Sequence, residues 1–337
     1  MSRFITVLAI VLGLHVCACA TTEFRAEPIS LADSIGPGDT YAGIRLLGAL
    51  RLSNTPIDGL RLCGLSGLAW DEDAGLLYAL SDEGALFHLR PKFDSPGYLI
   101  GVRLVAAYPL RDEIDKPLQP SFSDSEGLAI RNGDNGIPGD TELLVSFEGK
   151  PRVVRYSSDG RWRGEETLPP LLRDVRNYHD PNQMLESVTI DPRWGVLVGS
   201  ETPLRGDPPG QIRIFAGNGH FWIYPLGPAP GSALVAMEAL PDGSLLALER
   251  AFVAPLRPLV ISLRRTELPA TQTTAPLSVA DVAVLDSGQG WLLDNFEGLT
   301  RFRDRRFFMV SDDNCNSWQS TLLVQFELLP VPKIPHP

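Results

Sequence analysis

The sequence predicts an all-β fold, a six-bladed β-propeller with five blades as the alternative. Two observations carry this prediction: a strand–turn–strand pattern that recurs five times, and a composition with 31 Gly and 29 Pro. Such a composition favours many short strands and turns over long helices. With 44% of its 337 residues apolar, the chain can bury a large core, so we expect a globular protein.

Each recurrence contains a small or acidic residue, a short apolar strand, a turn, and a second apolar strand that ends in Ser, Asp or Glu. The copies lie at residues 65–84, 125–149, 185–201, 237–250 and 295–314. Their aligned first residues are Ser66, Glu126, Glu186, Glu238 and Glu297, at spacings of 60, 60, 52 and 59. Four strands with their turns fill such a period, as in propeller blades of roughly 40 to 50 residues.

Two further strand-like segments lie outside the five copies, at residues 41–53 and 321–330. Joining them in one composite blade would close the ring and leave no exposed sheet edge. This predicts the sixth blade and a propeller domain over residues 41–330. A β-sandwich is the competing fold, but it does not explain the repeated acid.

The first 20 residues predict an export signal, because Arg3 precedes an apolar stretch from Phe4 to Val16 that is too short to span a bilayer. Cleavage after Ala20 fits an ordinary signal peptidase. The alternative is a lipobox that would make Cys19 a lipidated N-terminus. We therefore expect an exported, periplasmic protein, with an outer-membrane lipoprotein as the variant.

Residues 21–40 predict a linker, and residues 331–337 predict a proline-rich tail. Cys63 and Cys315 remain after removal of the signal. In an oxidising compartment they could form a disulfide, or both could be buried thiols.

In a propeller, the start of each first strand and the end of each second strand share one face. The acids of the repeat should therefore meet around one mouth of the central channel, where adjacent strands lie about 4.8 Å apart. The residues that we expect at this mouth as metal ligands are Asp82, Glu126, Glu186, Glu201, Glu238, Glu297, Asp312 and Asn314, and Glu148 and Glu249 should lie beside them.

Crowded carboxylates require protonation, arginine partners or a bound cation. Calcium binds six to eight oxygens and suits such a ring, whereas five His without metal-binding spacing argue against structural zinc. The alternative is that these acids only bond backbone N–H groups of the next blade. A net charge of −11 argues against nucleic acid as a partner, and it leaves Cys19 as the expected membrane link.

Three basic residues are candidates near the acidic mouth. Arg250 follows Glu249 directly and, with Arg205, could bind an anionic substrate, while His179 lies in a polar stretch before the third copy. A nucleophile-elbow signature is incomplete at residues 64–68, since Leu68 stands where glycine is needed.

The segments "NFEGLT", "SDDN" and "TLLVQFEL" between residues 295 and 328, with "SEGLA" at 125–129 and "LLALER" at 245–250, resemble the bacterial family called esterase-like activity of phytase. The resemblance spans roughly residues 44 to 329. It implies an exported β-propeller with esterase or phosphoesterase activity. Matching positions are Glu126, Glu249, Arg250, Glu297, Asp312, Asp313 and Asn314. The third copy departs from the family, with "ESVT" in place of E-G-L-A.

These observations favour a monomeric, calcium-dependent hydrolase that acts on a small phosphate ester or carboxylic ester. Asp313 and His179 are its candidate catalytic residues. The alternatives are a non-catalytic binding module with structural calcium and a lactonase-like hydrolase.

Overall fold

The computed structural model describes residues 23–271 and 274–330, and it confirms the predicted β-propeller but with five blades. The strands in chain order are β1 (Ala26–Pro28), β2 (Thr40–Tyr41), β3 (Ile44–Leu52), β4 (Pro56–Ile57), β5 (Leu60–Arg61), β6 (Leu65–Asp71), β7 (Leu76–Ser81), β8 (Ala85–Phe93), β9 (Leu99–Pro109), β10 (Ser125–Arg131), β11 (Glu142–Phe147), β12 (Arg152–Ser157), β13 (Trp162–Glu165), β14 (Leu185–Asp191), β15 (Gly195–Ser200), β16 (Gln211–Ala216), β17 (Phe221–Pro225), β18 (Ser232–Ala239), β19 (Ser244–Ala251), β20 (Val260–Glu267), β21 (Val279–Asp286), β22 (Asn295–Arg301), β23 (Arg306–Asp312) and β24 (Thr321–Leu328). Within the described residues, the helical elements are α1 (Pro170–Arg173) and the short 3-10 helices Pro120–Phe122, Val175–Asn177 and Ser287–Gln289. None of these helices is long and apolar enough to cross a membrane.

Blades 1 to 4 are antiparallel sheets of four consecutive strands: β6 to β9, β10 to β13, β14 to β17, and β18 to β21. Blade 5 has the order β22-β23-β24-β3-β1, with β2 also paired to β3. The innermost strands β6, β10, β14, β18 and β22 each contact the next, and β22 contacts β6, so the ring is closed. Apolar side chains between neighbouring blades form the core, for example Trp222 and Tyr224 of blade 3 against Leu245 and Ala247 of blade 4.

The prediction of a separate sixth blade was wrong, although the predicted strand pairing is present. β3 pairs with β24 from Ile44 opposite Leu328 to Leu52 opposite Thr321. β24 in turn pairs with β23 of the fifth hairpin. The two extra segments are therefore outer strands of blade 5, which removes the edge that β24 would otherwise expose.

Residues 23–40 do not form a linker. β1 pairs with β3, and Leu31 is buried in the core between blades 4 and 5. The predicted signal at residues 1–20 and the predicted tail at residues 331–337 lie outside the described residues.

Strand direction gives the propeller two distinct faces. Each inner strand begins, and each second strand ends, on one face, because the two strands are antiparallel. We call this the upper face. The loops between the inner and second strands of each blade lie on the opposite, lower face.

A disulfide between Cys63 and Cys315 joins the loop before β6 to the loop after β23. It therefore links blade 1 to blade 5 across the point where the ring closes. The two cysteines are 252 residues apart in sequence, and a loop of this length is costly to close without a cross-link. Of the two alternatives that the sequence left open, the structure shows the disulfide.

Candidate metal centre at the upper mouth of the channel

Every inner strand carries a β-bulge close to its upper end, within three residues of its first paired residue. The bulged residues are Ser66, Glu126, Glu186, Val235 and Glu297. A bulge leaves its extra residue out of the ladder and redirects its side chain. In three blades this device turns a glutamate toward the channel at the upper face.

The glycine after the bulge lets neighbouring inner strands approach each other closely. A Cβ built on Gly127 would lie 2.8 Å from the carbonyl oxygen of Glu186. A Cβ built on Gly67 would lie 3.0 Å from the carbonyl oxygen of Glu126. The glycine after the bulge in blades 1, 2 and 5 thus has a packing reason, whereas blades 3 and 4 accommodate Ser187 and Ala236 at this position.

The carboxylates of several blades meet in one cluster, which we call the acidic cluster. It consists of Asp82, Asp124, Glu126, Glu148, Glu186, Glu201, Glu297 and Asp312. Three triads have ligand oxygens within 4.8 Å of one another: Asp124–Glu126–Glu148, Glu126–Glu186–Glu297, and Glu148–Glu186–Glu201. Because the triads share members, they form one continuous group.

Among the described residues, Arg250 is the basic residue that forms ion pairs with this cluster. Its Nη1 donates to Oε1 of Glu297 at 2.7 Å and to Oδ1 of Asn295 at 2.6 Å, and its Nη2 donates to Oε1 of Glu201 at 2.6 Å. The guanidinium of blade 4 therefore bridges one carboxylate from each of the two flanking blades, Glu201 of blade 3 and Glu297 of blade 5. The triad of Asp124, Glu126 and Glu148 has no such partner among the contacts of the described residues.

Burial and mutual repulsion raise the pKa of the clustered carboxyl groups. Burial raises the pKa of Glu148 to about 8, and burial together with the charge of Asp312 raises the pKa of Asp82 to about 7. The pKa of Asp312 rises to about 6, mainly through burial. Burial also raises the pKa of Glu126 and Glu186 well above the ordinary value, with repulsion from neighbouring glutamates as the second cause.

Of the predicted metal ligands, the structure brings together Asp82, Glu126, Glu186, Glu201, Glu297 and Asp312. Glu238 does not join them. In blade 4 the bulged residue is Val235, and Glu238 lies three residues further toward the lower face, opposite Leu246. Its pKa is raised to about 7 by burial, against the opposing charge of Arg301 at the lower end of β22. The alignment of Glu238 with the other first residues was therefore wrong.

Asn314 also lies apart from the cluster through its side chain. Its Nδ2 donates to Gln319 at 3.1 Å in an exposed loop, while its backbone N–H donates to Asp312 at 2.6 Å. Asn314 thus supports a cluster residue through its backbone.

Glu249, expected beside the mouth, lies inside blade 4. It accepts hydrogen bonds from Tyr224 Oη at 2.7 Å, from the N–H of Gly227 at 2.7 Å and from Arg264 at 2.8 Å. The chain position equivalent to Asp82, Glu148, Glu201 and Asp312 is occupied by Arg250.

The candidate catalytic residues Asp313 and His179 lie outside the acidic cluster. Oδ1 of Asp313 accepts from the N–H of Gly64 at 2.9 Å and from that of Cys315 at 3.0 Å, so it fixes the disulfide-linked loops. His179 is exposed in the loop before β14. Arg205 donates to the carbonyl oxygens of Tyr178 and His179, which ties this loop down. The catalytic roles of Asp313 and His179 and the substrate-binding role of Arg205 remain predictions, and the positions of these residues do not support them.

Sequence reasoning missed Asp124. It precedes β10 and takes the position that Asn295 takes at the start of β22, two residues before the bulged glutamate. Both residues stand two positions before a glutamate of the repeat, and this shared position in the sequence is the signal that could have identified Asp124.

The channel is closed just below the acidic cluster. The cavity between the inner strands measures about 10 Å³ and is lined by the glycines after the bulges together with Leu68, Leu128 and Leu299. Such a volume holds about one water molecule. A ligand must therefore approach from the upper face.

The donor set of the cluster fits a hard cation. All donors are carboxylate or amide oxygens, which calcium and magnesium prefer, and Arg250 forms ion pairs with two of the eight carboxyl groups. Cys63 and Cys315, which lie close to Asp313, are oxidised to a disulfide and offer no thiolate.

Two solved structures of propellers are similar to this chain. The endo-arabinase from Bacteroides thetaiotaomicron VPI-5482 has 14% sequence identity and a TM-score of 0.47, over 82% of this chain and 97% of that chain. The β-propeller domain of Cps50 (Swd1) from Myceliophteria thermophila has 10% identity and a TM-score of 0.34, over 90% of this chain and 100% of that chain. No curated protein matches the sequence.

A family model, phytase-like, described as esterase-like activity of phytase, matches residues 61–315. This range contains every inner strand, the whole acidic cluster and both cysteines of the disulfide. It confirms the resemblance seen in the "EGLA" and "SDDN" segments. The chain belongs to the phytase-like family that is described by the esterase-like activity of phytase.

Proposed function

We propose that this protein is an exported hydrolase that binds calcium at the acidic cluster and cleaves a phosphate ester or carboxylic ester at the upper mouth. The observation that carries the proposal is the meeting of eight carboxylates around one mouth with one bridging arginine. Family membership supports a hydrolase. Export rests on the predicted signal at residues 1–20.

The chain's own residues would divide the work as follows. Asp124, Glu126, Glu148 and Glu186 would hold the cation, because their oxygens lie close together and lack an arginine partner. A bound calcium would polarise the substrate's phosphoryl or carbonyl oxygen and acidify a water molecule. Arg250 would hold Glu201 and Glu297 in place.

Asp82 and Asp312 are better candidates for proton transfer than Asp313 and His179, which lie outside the acidic cluster. Their pKa values, raised to about 7 and about 6, lie near neutral pH, where a carboxyl group can both accept and donate a proton. Both follow or end second strands at the upper face, beside the mouth.

The alternative function is a non-catalytic binding module that uses calcium structurally. The closed cavity beneath Glu126, Glu186 and Glu297 favours it, since these side chains are almost fully buried. A lactonase-like hydrolase would use the same mouth and differs only in its substrate.

The test is turnover of a phosphate monoester, p-nitrophenyl acetate and a simple lactone, with calcium or with EGTA. We expect calcium-dependent turnover of one ester that is lost in Glu126→Gln and Glu186→Gln and kept in Glu238→Gln. Turnover that survives EGTA and both cluster substitutions would reject the metal mechanism. A melting temperature raised by calcium, without turnover of any substrate, would assign the binding module.

A further inference from the structure

Large apolar side chains are exposed on the upper face of blades 4 and 5. The exposed side chains are Phe252 (51%), Val253 (60%) and Leu256 (105%) between β19 and β20, Leu292 (43%) before β22, and Trp318 (95%) between β23 and β24. We call these five residues the apolar rim. Exposed apolar side chains gathered on one face mark a surface that contacts something else.

The loop that presents Trp318 is held in place. Cys315 joins it to the loop before β6, and Oδ1 of Asn316 accepts from the N–H groups of Trp318 at 2.9 Å and Gln319 at 3.1 Å. Asp294 accepts from the N–H of Ser320 at 2.6 Å. Trp318 thus lies in a disulfide-linked, hydrogen-bonded loop, although its side chain is almost fully exposed.

The described chain begins on this same face, beside the same loop. The N–H of Arg25 donates to Ser53 Oγ at 2.8 Å, and the N–H of Ser53 donates to the carbonyl oxygen of Arg25 at 2.9 Å. Ser53 follows Leu52, whose strand partner is Thr321, three residues after Trp318. Whatever precedes residue 23 therefore leaves the propeller next to Trp318.

The predicted anchor is close in sequence to the first described residue. Residues 1–22 include the predicted apolar stretch from Phe4 to Val16 and the predicted lipidation site Cys19. From Cys19 to residue 22 the chain has four residues, which reach at most about 14 Å when extended. A bilayer that held Cys19 would thus lie within this distance of the upper face.

We propose that the apolar rim docks on a zwitterionic lipid bilayer, so that the acidic mouth faces the membrane surface. Trp prefers the interface between lipid and water, where its ring is apolar and its N–H can stay hydrated. The exposed Arg25, Arg61 and Arg257 lie on the same face and could contact lipid phosphates. The acidic cluster disfavours a strongly anionic surface.

The docked orientation would also make the bilayer a source of substrate, an inference that rests on the proposed function. Esters or phosphate groups of lipids at the bilayer surface would reach the mouth directly. The docking itself does not require turnover.

The test uses the full chain, expressed with its own N-terminus, purified from membranes and reconstituted in phosphatidylcholine vesicles with ordinary or brominated acyl chains. The chain has six Trp, so the emission of Trp318 is the difference between wild type and Trp318→Phe. We expect this difference emission to fall about two-fold or more in brominated vesicles, because bromine quenches an indole at the interface. The double variant Val253→Ser, Leu256→Ser should reduce the quenching.

Ile137→Ser is the matched control, since Ile137 is 57% exposed in the loop between β10 and β11 on the lower face. Equal Trp318 emission in the two kinds of vesicle would overturn the proposal, as would recovery of wild type in the soluble fraction alone. A dimer that the double variant dissociates would assign the rim to a second copy. Quenching without any turnover would leave the docking in place and count against the proposed function alone.

Discussion

Blade 3 and blade 4 have the same backbone at the upper mouth but opposite charge. In both, a paired residue of the inner strand directly precedes the bulge: Leu185 pairs with Ser200, and Leu234 pairs with Glu249. Blade 3 places Glu186 at the bulge and Glu201 after the pair. Blade 4 places Val235 and Arg250 at the corresponding positions.

The difference shows that the ring geometry is fixed by the backbone while each blade sets its own charge. If blade 4 carried two acids, nothing in the contacts of the described residues would neutralise Glu201 and Glu297. Arg250 acts as a built-in counter-ion for this side of the cluster. The side formed by Asp124, Glu126 and Glu148 has no arginine partner among the described residues, so protons or an external cation must compensate its charge.

The largest effect is expected from Arg250→Met, which makes blade 4 neutral. It leaves Glu201 and Glu297 buried without their partner, and breaking such a pair costs about 3–5 kcal/mol. The measurement is urea unfolding in EDTA, and added calcium should recover part of the loss. Arg257→Met removes an exposed arginine of the upper face and should change the free energy of unfolding little. Unchanged stability of Arg250→Met would show that the bridge is unimportant.

The next effect is a pH dependence of stability, since carboxyl groups of the acid-bearing blades titrate near neutral pH while Arg250 of blade 4 stays charged. The pKa of Glu148 is raised from 4.5 to about 8 and that of Asp82 from 3.8 to about 7. The folded state therefore binds more protons than the unfolded state between pH 4 and pH 8. Without calcium, the free energy of unfolding should fall by about 2–4 kcal/mol as the pH rises from 5 to 8.

Urea unfolding at pH 5 and pH 8 in EDTA measures this fall, and Glu148→Gln should make it smaller. Calcium should also reduce it, because a bound cation replaces the proton. A free energy that rises over this range in EDTA would contradict the buried, uncompensated cluster.

A smaller effect is expected from Glu186→Gln, which removes the charge that blade 4 also lacks at its bulge. Less repulsion should stabilise the calcium-free protein by about 1 kcal/mol. Fewer charged ligands should weaken calcium binding about ten-fold, measured by isothermal titration calorimetry. Tighter calcium binding in this variant would exclude Glu186 as a ligand.

The smallest effect is expected from Glu238→Gln, which changes the acid of blade 4 that faces Arg301. Calcium affinity should stay unchanged, because Glu238 lies toward the lower face. The same titration measures it. A clear loss of affinity would place Glu238 in the cluster after all.

The sequence was sufficient for the hairpin repeat and for most of the acidic mouth, because inner strands are buried and their acids recur at a regular position. The number of blades was not predictable in this way. The sequences of residues 41–53 and 321–330 are equally compatible with a separate blade and with outer strands of the fifth blade. The pairing of β3 with β24 and of β24 with β23 decides between them, and it depends on contacts distant in sequence.

The misplacement of Glu238 has a local cause. The "MEAL" segment imitates the acid-first pattern, while the bulge falls on apolar Val235. The length of the hairpin could have shown the correct alignment. Glu186 and Glu201 are 15 residues apart, and so are Glu297 and Asp312. In the fourth copy Val235 and Arg250 keep this separation, whereas Glu238 and Glu249 are only 11 residues apart. A bulge has no residue signature of its own, so hydrophobic alternation alone could not locate it.

The closure of blade 5 constrains when the protein can finish folding. β3 is synthesised early, but its partner β24 follows more than 260 residues later. At ordinary rates of roughly 5 to 20 residues per second, β3 waits on the order of tens of seconds with an unsatisfied edge. During that interval one edge of β3 is open to pairing with other chains. Cys63 likewise cannot pair with Cys315 until synthesis is almost complete.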